Sequence, residues 1–208
     1  MNTLAALERF DIDEIFRRLI SVGATSVPFL NANLRASLLR EAVGYSYKRE
    51  AEIVGSGERT VRQQVGSFED FTDSSEFIRL RTSFEGLVSS ALATLAGYPF
   101  ATPFRVDSMI LNKYEAGSLG ITPHRDRARY INLIGIVVIG GSGQFQICQD
   151  RSGSDATEIA APPGHAILMR APGFPGAGDR PFHCVSHIRE SRYTLVLRQR
   201  RPSSVTAP

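Results

Sequence analysis

Between residues 106 and 198 the chain reads VDSMILNKY (106–114), YINLIGIVVI (130–139), GQFQIC (143–148), HAILM (165–169), FHCVSH (182–187) and RYTLVLR (192–198). Each is a short apolar run bounded by glycine, proline or polar turn residues. Several strands at this spacing predict an all-β sandwich or barrel for the C-terminal half. The GGSG between Ile139 and Gln144 reads as a hairpin joining two of these runs. It has no following Lys-Ser/Thr pair, so it is not a phosphate-binding loop.

Upstream the period is helical. Leu4, Leu7, Ile12, Ile15, Phe16 and Leu19 repeat at helical spacing over the first twenty residues, and Pro28 closes the linker that follows. Asn31 or Asn33 is a candidate N-cap for a helix over 34–43, where Leu34, Leu38, Leu39 and Ala42 share a face. A third helix over 77–95 is ended by Gly97 and Pro99. Residues 44–73 mix turn residues with β-prone pieces such as TVRQQVGSF. The expected architecture is α+β: one domain over 1–208, with 1–104 as helical support and a candidate substrate lid, and 105–200 as the β core.

Composition is consistent with that. A chain of 208 residues, 42% apolar and 22% charged, has enough material for one domain with a real core, which excludes disordered and collagen-like classes. No apolar run approaches the roughly 18 residues of a membrane helix, and the N-terminus lacks the apolar segment of a signal peptide. Two cysteines, Cys148 and Cys184, make neither a disulfide framework nor a cysteine zinc site, so a reducing, cytoplasmic setting is expected. Lysine occurs only at 48 and 113, and the excess of base over acid lies in residues 105–208, with 13 basic and 8 acidic side chains. Such a half suits an anionic cosubstrate or a nucleic acid.

All four histidines (124, 165, 183 and 187) fall in the β half. His124-Arg125-Asp126 places an imidazole and a carboxylate two residues apart, on one face of an extended chain, where both can reach one metal ion. A histidine from a distant strand would complete a 2-His-1-carboxylate facial triad, which leaves positions open on iron(II) for cosubstrate and oxygen. Arg192 and Arg198 share a strand face with Thr194 and Val196. Two guanidinium groups aimed into a small barrel are costly without a partner, and a dicarboxylate would match their forks. The alternative places both on the solvated face, with Tyr193, Leu195 and Leu197 filling the interior.

Taken together, Asn112-Lys113-Tyr114, His124-x-Asp126, His183, and Arg192-x5-Arg198 followed by Gln199 resemble the iron(II)/2-oxoglutarate dioxygenases, and within them the AlkB-like branch. The resemblance covers roughly residues 83–200. It implies a double-stranded β-helix (jelly-roll) core with the N-terminal helices packed against it. It also implies iron(II) held by His124, Asp126 and a distal histidine. In the register usual for the superfamily the distal histidine is His183, nine residues before Arg192, rather than His187. Arg192 and Tyr114 would hold the distal carboxylate of 2-oxoglutarate, with Asn112 and Arg198 at the end nearer the metal. The implied reaction consumes O2 and 2-oxoglutarate and oxidises a substrate C–H; in the AlkB-like branch an N-methyl group so hydroxylated collapses to formaldehyde.

Two substrate classes remain open. For single-stranded or alkylated nucleic acid speak the basic C-terminal half, Arg59 and Arg62, and an expected stacking platform among Tyr45, Tyr47, Phe68 and Phe71 in a lid over 44–73. Against it, tryptophan is absent, and Ala128 stands where base-reading relatives often carry an acid. The second class is a small metabolite or amino-acid-like molecule, with Arg125, Arg127 or Arg129 holding an anionic group. A binding module without turnover is a third possibility, disfavoured by the intact triad and paired arginines. No membrane partner is expected.

Overall fold

The structure is a computed structural model and describes residues 10–176 and 180–202. The positions Leu4 and Leu7 of the expected first helix lie outside the described residues. Among the described residues three α-helices, α1 (Ile12–Ser21), α2 (Ala32–Val43) and α3 (Glu76–Leu92), support the strands. The N-terminal part adds β1 (Ala24–Pro28), β2 (Lys48–Arg49), β3 (Ile53–Val54), β4 (Val61–Arg62) and β5 (Gly66–Phe68). The C-terminal part supplies β6 (Ser108–Tyr114), β7 (Ile121–His124), β8 (Tyr130–Gly140), β9 (Gln144–Cys148), β10 (Thr157–Glu158), β11 (His165–Arg170), β12 (Phe182–Ser186) and β13 (Arg192–Arg200).

Each helix starts at a side-chain cap. Asp11 accepts from the Glu14 N–H, Asn31 from that of Leu34 and Ser75 from that of Phe77. Asn31, rather than Asn33, therefore opens α2. Along α3 the buried positions Phe77, Leu80, Phe84, Val88 and Leu92 recur every three or four residues, one apolar stripe. The helix ends at Leu92 with Ala93 as its cap, so Gly97 and Pro99 lie beyond the terminus instead of forming it.

The strands form a seven-stranded sheet in the order β1-β11-β8-β13-β6-β5-β2, a four-stranded sheet in the order β10-β9-β12-β7 and a separate two-stranded pair, β3-β4. From β6 to β9, and again from β11 to β13, consecutive strands alternate between the two sheets, the winding of a jelly roll. That winding corrects the reading of GGSG. β8 and β9 do not pair; the glycines carry the chain from one sheet to the other. Gly141 takes a left-handed φ of 79°, and a Cβ there would stand 2.1 Å from the Ser191 carbonyl oxygen, so only glycine fits this corner.

Strand alternation divides the core in two. Leu133, Val137, Leu168, Leu195 and Leu197 point outward under the helices, while Ile134, Ile136, Val138, Ile167 and Val196 point between the sheets. The linker before Pro28 is itself a strand: β1 pairs with β11 at the edge of the large sheet, and Pro28 closes it opposite His165, a place where a missing N–H is tolerated. With β1, β5 and β2 all in that sheet, residues 1–104 contribute strands as well as helical support.

Candidate active site

A cavity of about 440 Å³ opens between the sheets. His124 ends β7, and His183 lies directly across from it on β12. Asp126 follows on the extended chain two residues after His124. The three side chains each offer one ligand atom, and these atoms lie within 4.8 Å of one another. His187 is not part of this group: β12 ends at Ser186, His187 takes a left-handed φ of 55° and is exposed, and its ring lies against the Ser186 hydroxyl.

The surroundings prepare each group for a cation. With Nδ1 of His124 donating to the Thr122 carbonyl oxygen at 2.9 Å, Nε2 is left as the free lone pair. Nδ1 of His183 makes a longer contact, 3.5 Å, to the Pro181 carbonyl. Burial lowers the pKa of His124, and burial with the neighbouring His124 takes His183 down to about 3, so both rings are neutral at pH 7. Burial alone would raise the Asp126 carboxyl, but the charge and hydrogen bond of the Arg198 guanidinium pull the other way, and the group stays below its ordinary value. Arg198 Nη2 donates to Asp126 Oδ1 at 3.0 Å and its charge lies 4.7 Å from the Tyr130 ring centroid.

Arg192, Thr194, Val196 and Arg198 all line the cavity, as do Asn112 and Tyr114 on the adjacent β6. Tyr193, Leu195 and Leu197 pack beneath the helices, which places the arginines inside and the leucines outside the barrel. Arg192 is only 2% exposed. Its Nη1 donates to the Gly143 carbonyl at 3.2 Å, its Nε has no partner, and among the described residues no carboxylate pairs with it. Burial lowers its pKa, and burial pushes the Tyr114 phenol up to about 12 against the pull of Arg192 and Arg198.

Several lining groups escape the sequence reading. Arg200 continues the 192–194–196–198 face and was legible from strand parity. Glu50 and Glu69, which also line the cavity, carry no sequence signal. Outside the lining, next to Arg198 in sequence, the motif residue Gln199 forms a buried amide pair that the sequence does not signal: Asn132, at φ 65°, donates from Nδ2 to Gln199 Oε1 (2.9 Å), and Gln199 in turn donates to the Pro103 carbonyl. Side chains between 50 and 69 do line the cavity, yet the expected stacking platform does not face it. Tyr45 stacks on Phe68 at 3.9 Å, and Phe71 packs edge-on against both. Arg59 and Arg62 are exposed and away from the cavity lining.

The fold has solved counterparts. A Trichoplax adhaerens prolyl hydroxylase, in complex with a peptide of the hypoxia inducible factor oxygen degradation domain, matches 89% of this chain and 87% of its own (TM-score 0.62, 14% identity). A Pseudomonas putida prolyl-4-hydroxylase matches over 91% and 99% (TM-score 0.59, 14% identity). An oxidoreductase of the 2OG-Fe(II) oxygenase family from Burkholderia pseudomallei matches over 91% and 90% (TM-score 0.61, 15% identity). The chain therefore has the double-stranded β-helix fold of these oxygenases. No protein-family model and no curated protein matches its sequence.

Proposed function

We propose that this protein is an iron(II)- and 2-oxoglutarate-dependent dioxygenase, with His124, Asp126 and His183 as the metal ligands. The observation that carries the reading is Arg192. A guanidinium buried to 2% exposure with no carboxylate partner among the described residues, in the same cavity as two neutral imidazoles and a carboxylate, calls for an anionic ligand. The donor set fits the metal: two nitrogens and one carboxylate oxygen make the facial arrangement preferred by non-haem iron(II). No cysteine joins it, which argues against a structural zinc site.

Bound iron(II) supplies oxygen activation, in which one oxygen atom enters a substrate C–H as hydroxyl and the other enters succinate as 2-oxoglutarate loses CO2. The chain's own residues do the rest. Arg192 grips the distal carboxylate as a fork with Tyr114 beside it, and Asn112 and Thr194 border the space between that anchor and the metal ligands. Arg198 holds Asp126 in one orientation by its hydrogen bond. The Thr122 carbonyl fixes the tautomer of His124. Ile136, Phe145 and Val196 exclude water from the inner end.

Tyr45, Tyr47, Phe68 and Phe71 do not line the cavity that holds the metal-ligand group, so bases would find no stacking face beside it, which supports a small-molecule substrate over a nucleic acid. Calorimetric titration of 2-oxoglutarate into the Fe(II)-loaded protein without oxygen, followed by succinate release in air, tests the reading. Binding dependent on Arg192 is expected; a protein that takes neither iron nor 2-oxoglutarate is not a dioxygenase.

A further inference from the structure

Three arginines at the mouth of the cavity, Arg127, Arg129 and Arg200, have no task in holding iron or 2-oxoglutarate. Strand pairing gathers them. Arg200 on β13 is the cross-strand partner of Tyr130 on β8, the Arg201 N–H donates to the Arg129 carbonyl at 2.7 Å, and the Tyr130 N–H donates to the Arg127 carbonyl at 3.0 Å. Arg129 is held in place: its Nη2 donates to the Tyr130 hydroxyl at 3.0 Å, and its charge lies 5.0 Å from the Tyr130 ring centroid. Among the described residues no carboxylate pairs with any of the three guanidinium groups. Asp107 is committed elsewhere, accepting from the Arg200 backbone N–H at 2.7 Å and pairing with Arg105 at 3.3 Å.

The acids that line the same cavity belong to the far strands of the large sheet. Phe68 stands opposite Leu111 and Leu111 opposite Leu195, which puts Glu69, the next residue, level with Val196 and two strands away from it. With strands about 4.8 Å apart and a rise of about 3.4 Å per residue, the Glu69 and Arg200 backbones are roughly 16 Å apart. That is about twice the roughly 8 Å over which physiological salt screens a charge. Glu50 lies farther off, its N–H donating to the Val65 carbonyl, and its carboxylate accepts from the Ser67 hydroxyl at 2.5 Å. The arginine cluster therefore keeps its full positive character.

Three guanidinium groups with no acid among them suit a ligand of more than one negative charge. A phosphate monoester carries about −1.5 to −2 at pH 7 and has three terminal oxygens, one for each fork. A carboxylate has a single charge and engages fewer of them. A phosphodiester of a nucleic acid likewise has one charge, and its bases find no stacking face beside this cavity. The cluster is also near the metal-ligand group. Arg198, two residues before Arg200 on the same strand face, donates to Asp126 at 3.0 Å, and two residues of strand span about 7 Å.

We propose that the substrate is a small phosphate monoester, its phosphate held by Arg127, Arg129 and Arg200. A carbon a few bonds from phosphorus then lies beside His124, Asp126 and His183, where its C–H receives the hydroxyl. The proposal rests on the dioxygenase reading above and names the substrate class of that site.

The test starts from the protein loaded with Fe(II) without oxygen and titrated with 2-oxoglutarate to saturation, which fills the Arg192 end. Inorganic phosphate is then titrated, with acetate as the comparator. Phosphate should bind at least tenfold more tightly than acetate. Replacing Arg129 and Arg200 together by Gln should weaken phosphate by tenfold or more while the Kd for 2-oxoglutarate stays constant. The double Lys replacement should recover part of that loss, which a merely unfolded mouth would not. In air, succinate release is followed with sugar phosphates, phosphorylated amino acids and nucleoside monophosphates, each beside its dephosphorylated form. At least one ester should raise the rate above the substrate-free background, with its dephosphorylated form tenfold less effective or worse; which ester does so distinguishes the sources of the phosphate. Equal binding of phosphate and acetate, phosphate binding unchanged in the double Gln variant, or no ester that outperforms its dephosphorylated form overturns the proposal while leaving the dioxygenase reading intact. Absence of 2-oxoglutarate binding in the first titration overturns the dioxygenase reading, and this proposal with it.

Discussion

The two ends of the cavity carry the same side chain in opposite settings. At the inner end Arg192 is sealed between the sheets, whereas Arg127, Arg129 and Arg200 at the mouth are exposed to water. Water screens an exposed guanidinium, so it contributes little to folding and can wait for a ligand at almost no cost. The same group buried without an acid weakens the fold until an anion arrives. The charge at the inner end therefore comes at the expense of stability, while the charges at the mouth have little effect on the fold.

The sharpest break of this comparison comes from the residues between the two ends. His124→Ala, Asp126→Ala and His183→Ala should each abolish stoichiometric Fe(II) binding and all succinate release, while His187→Ala keeps the metal; metal analysis after desalting reads the outcome. Loss of iron from the His187 variant alone would exchange the two ligands.

Next in size is the inner arginine made apolar. Arg192→Met should raise the stability of the ligand-free protein by about 1–4 kcal/mol, as replacement of buried unpaired charges does elsewhere. The same variant should lose the rise in Tm that 2-oxoglutarate gives the parent. A drop in stability on urea unfolding would mean that Arg192 is already satisfied without ligand. Arg192→Lys keeps the charge but not the fork; with a charge-assisted hydrogen bond worth about 1.5–3 kcal/mol, cosubstrate affinity should fall by roughly one to two orders of magnitude. Unchanged affinity would place Arg192 outside the cosubstrate site.

Outside the lining, Asn132→Ala leaves the buried Gln199 oxygen without its donor and puts alanine at a left-handed φ, which should cost about 1–3 kcal/mol in urea unfolding. The smallest effect is expected at the mouth. Arg127→Gln should change unfolding free energy by no more than about 0.5 kcal/mol, as exposed substitutions do. A loss comparable to that at Asn132 would erase the contrast between the two ends.

The resemblance and local periodicity made much of this molecule legible. A residue's face on a strand repeats every two positions, so His124 with Asp126, and Arg192 with Thr194, Val196 and Arg198, could be grouped before any partner strand was known. The apolar stripe of α3 and the Asn31 cap are local in the same sense. Even Arg200 lay within reach of that parity.

Strand pairing is different in kind, because it depends on which segments far apart in the chain bury each other's apolar faces. GGSG has the composition of a hairpin turn, yet β8 must pair with β11 and β13 to bury Ile134, Ile136 and Val138, so the glycines turn a corner between sheets instead. The linker before Pro28 carries no strong strand signal and becomes β1 because β11 offers it an edge. Aromatic residues in 44–73 suggest a stacking face by composition, but burial against one another lowers their free energy more than exposure at the mouth would.

The sequence by itself determined the types of donor available and the strand faces they occupy. Only the tertiary structure decided that His183, and not His187, stands across from His124, since the register of β12 against β7 and β9 is set by Phe145, Ile147 and Val185 packing into the shared core. It also decided that Glu50 and Glu69 line the same cavity as the arginines, because the segment carrying them is placed by pairing of β5 with β6, some forty residues further along the chain. Parity is a property of the local backbone, whereas register and the joint lining of a cavity come from the simultaneous burial of distant apolar side chains, which no stretch of sequence encodes alone.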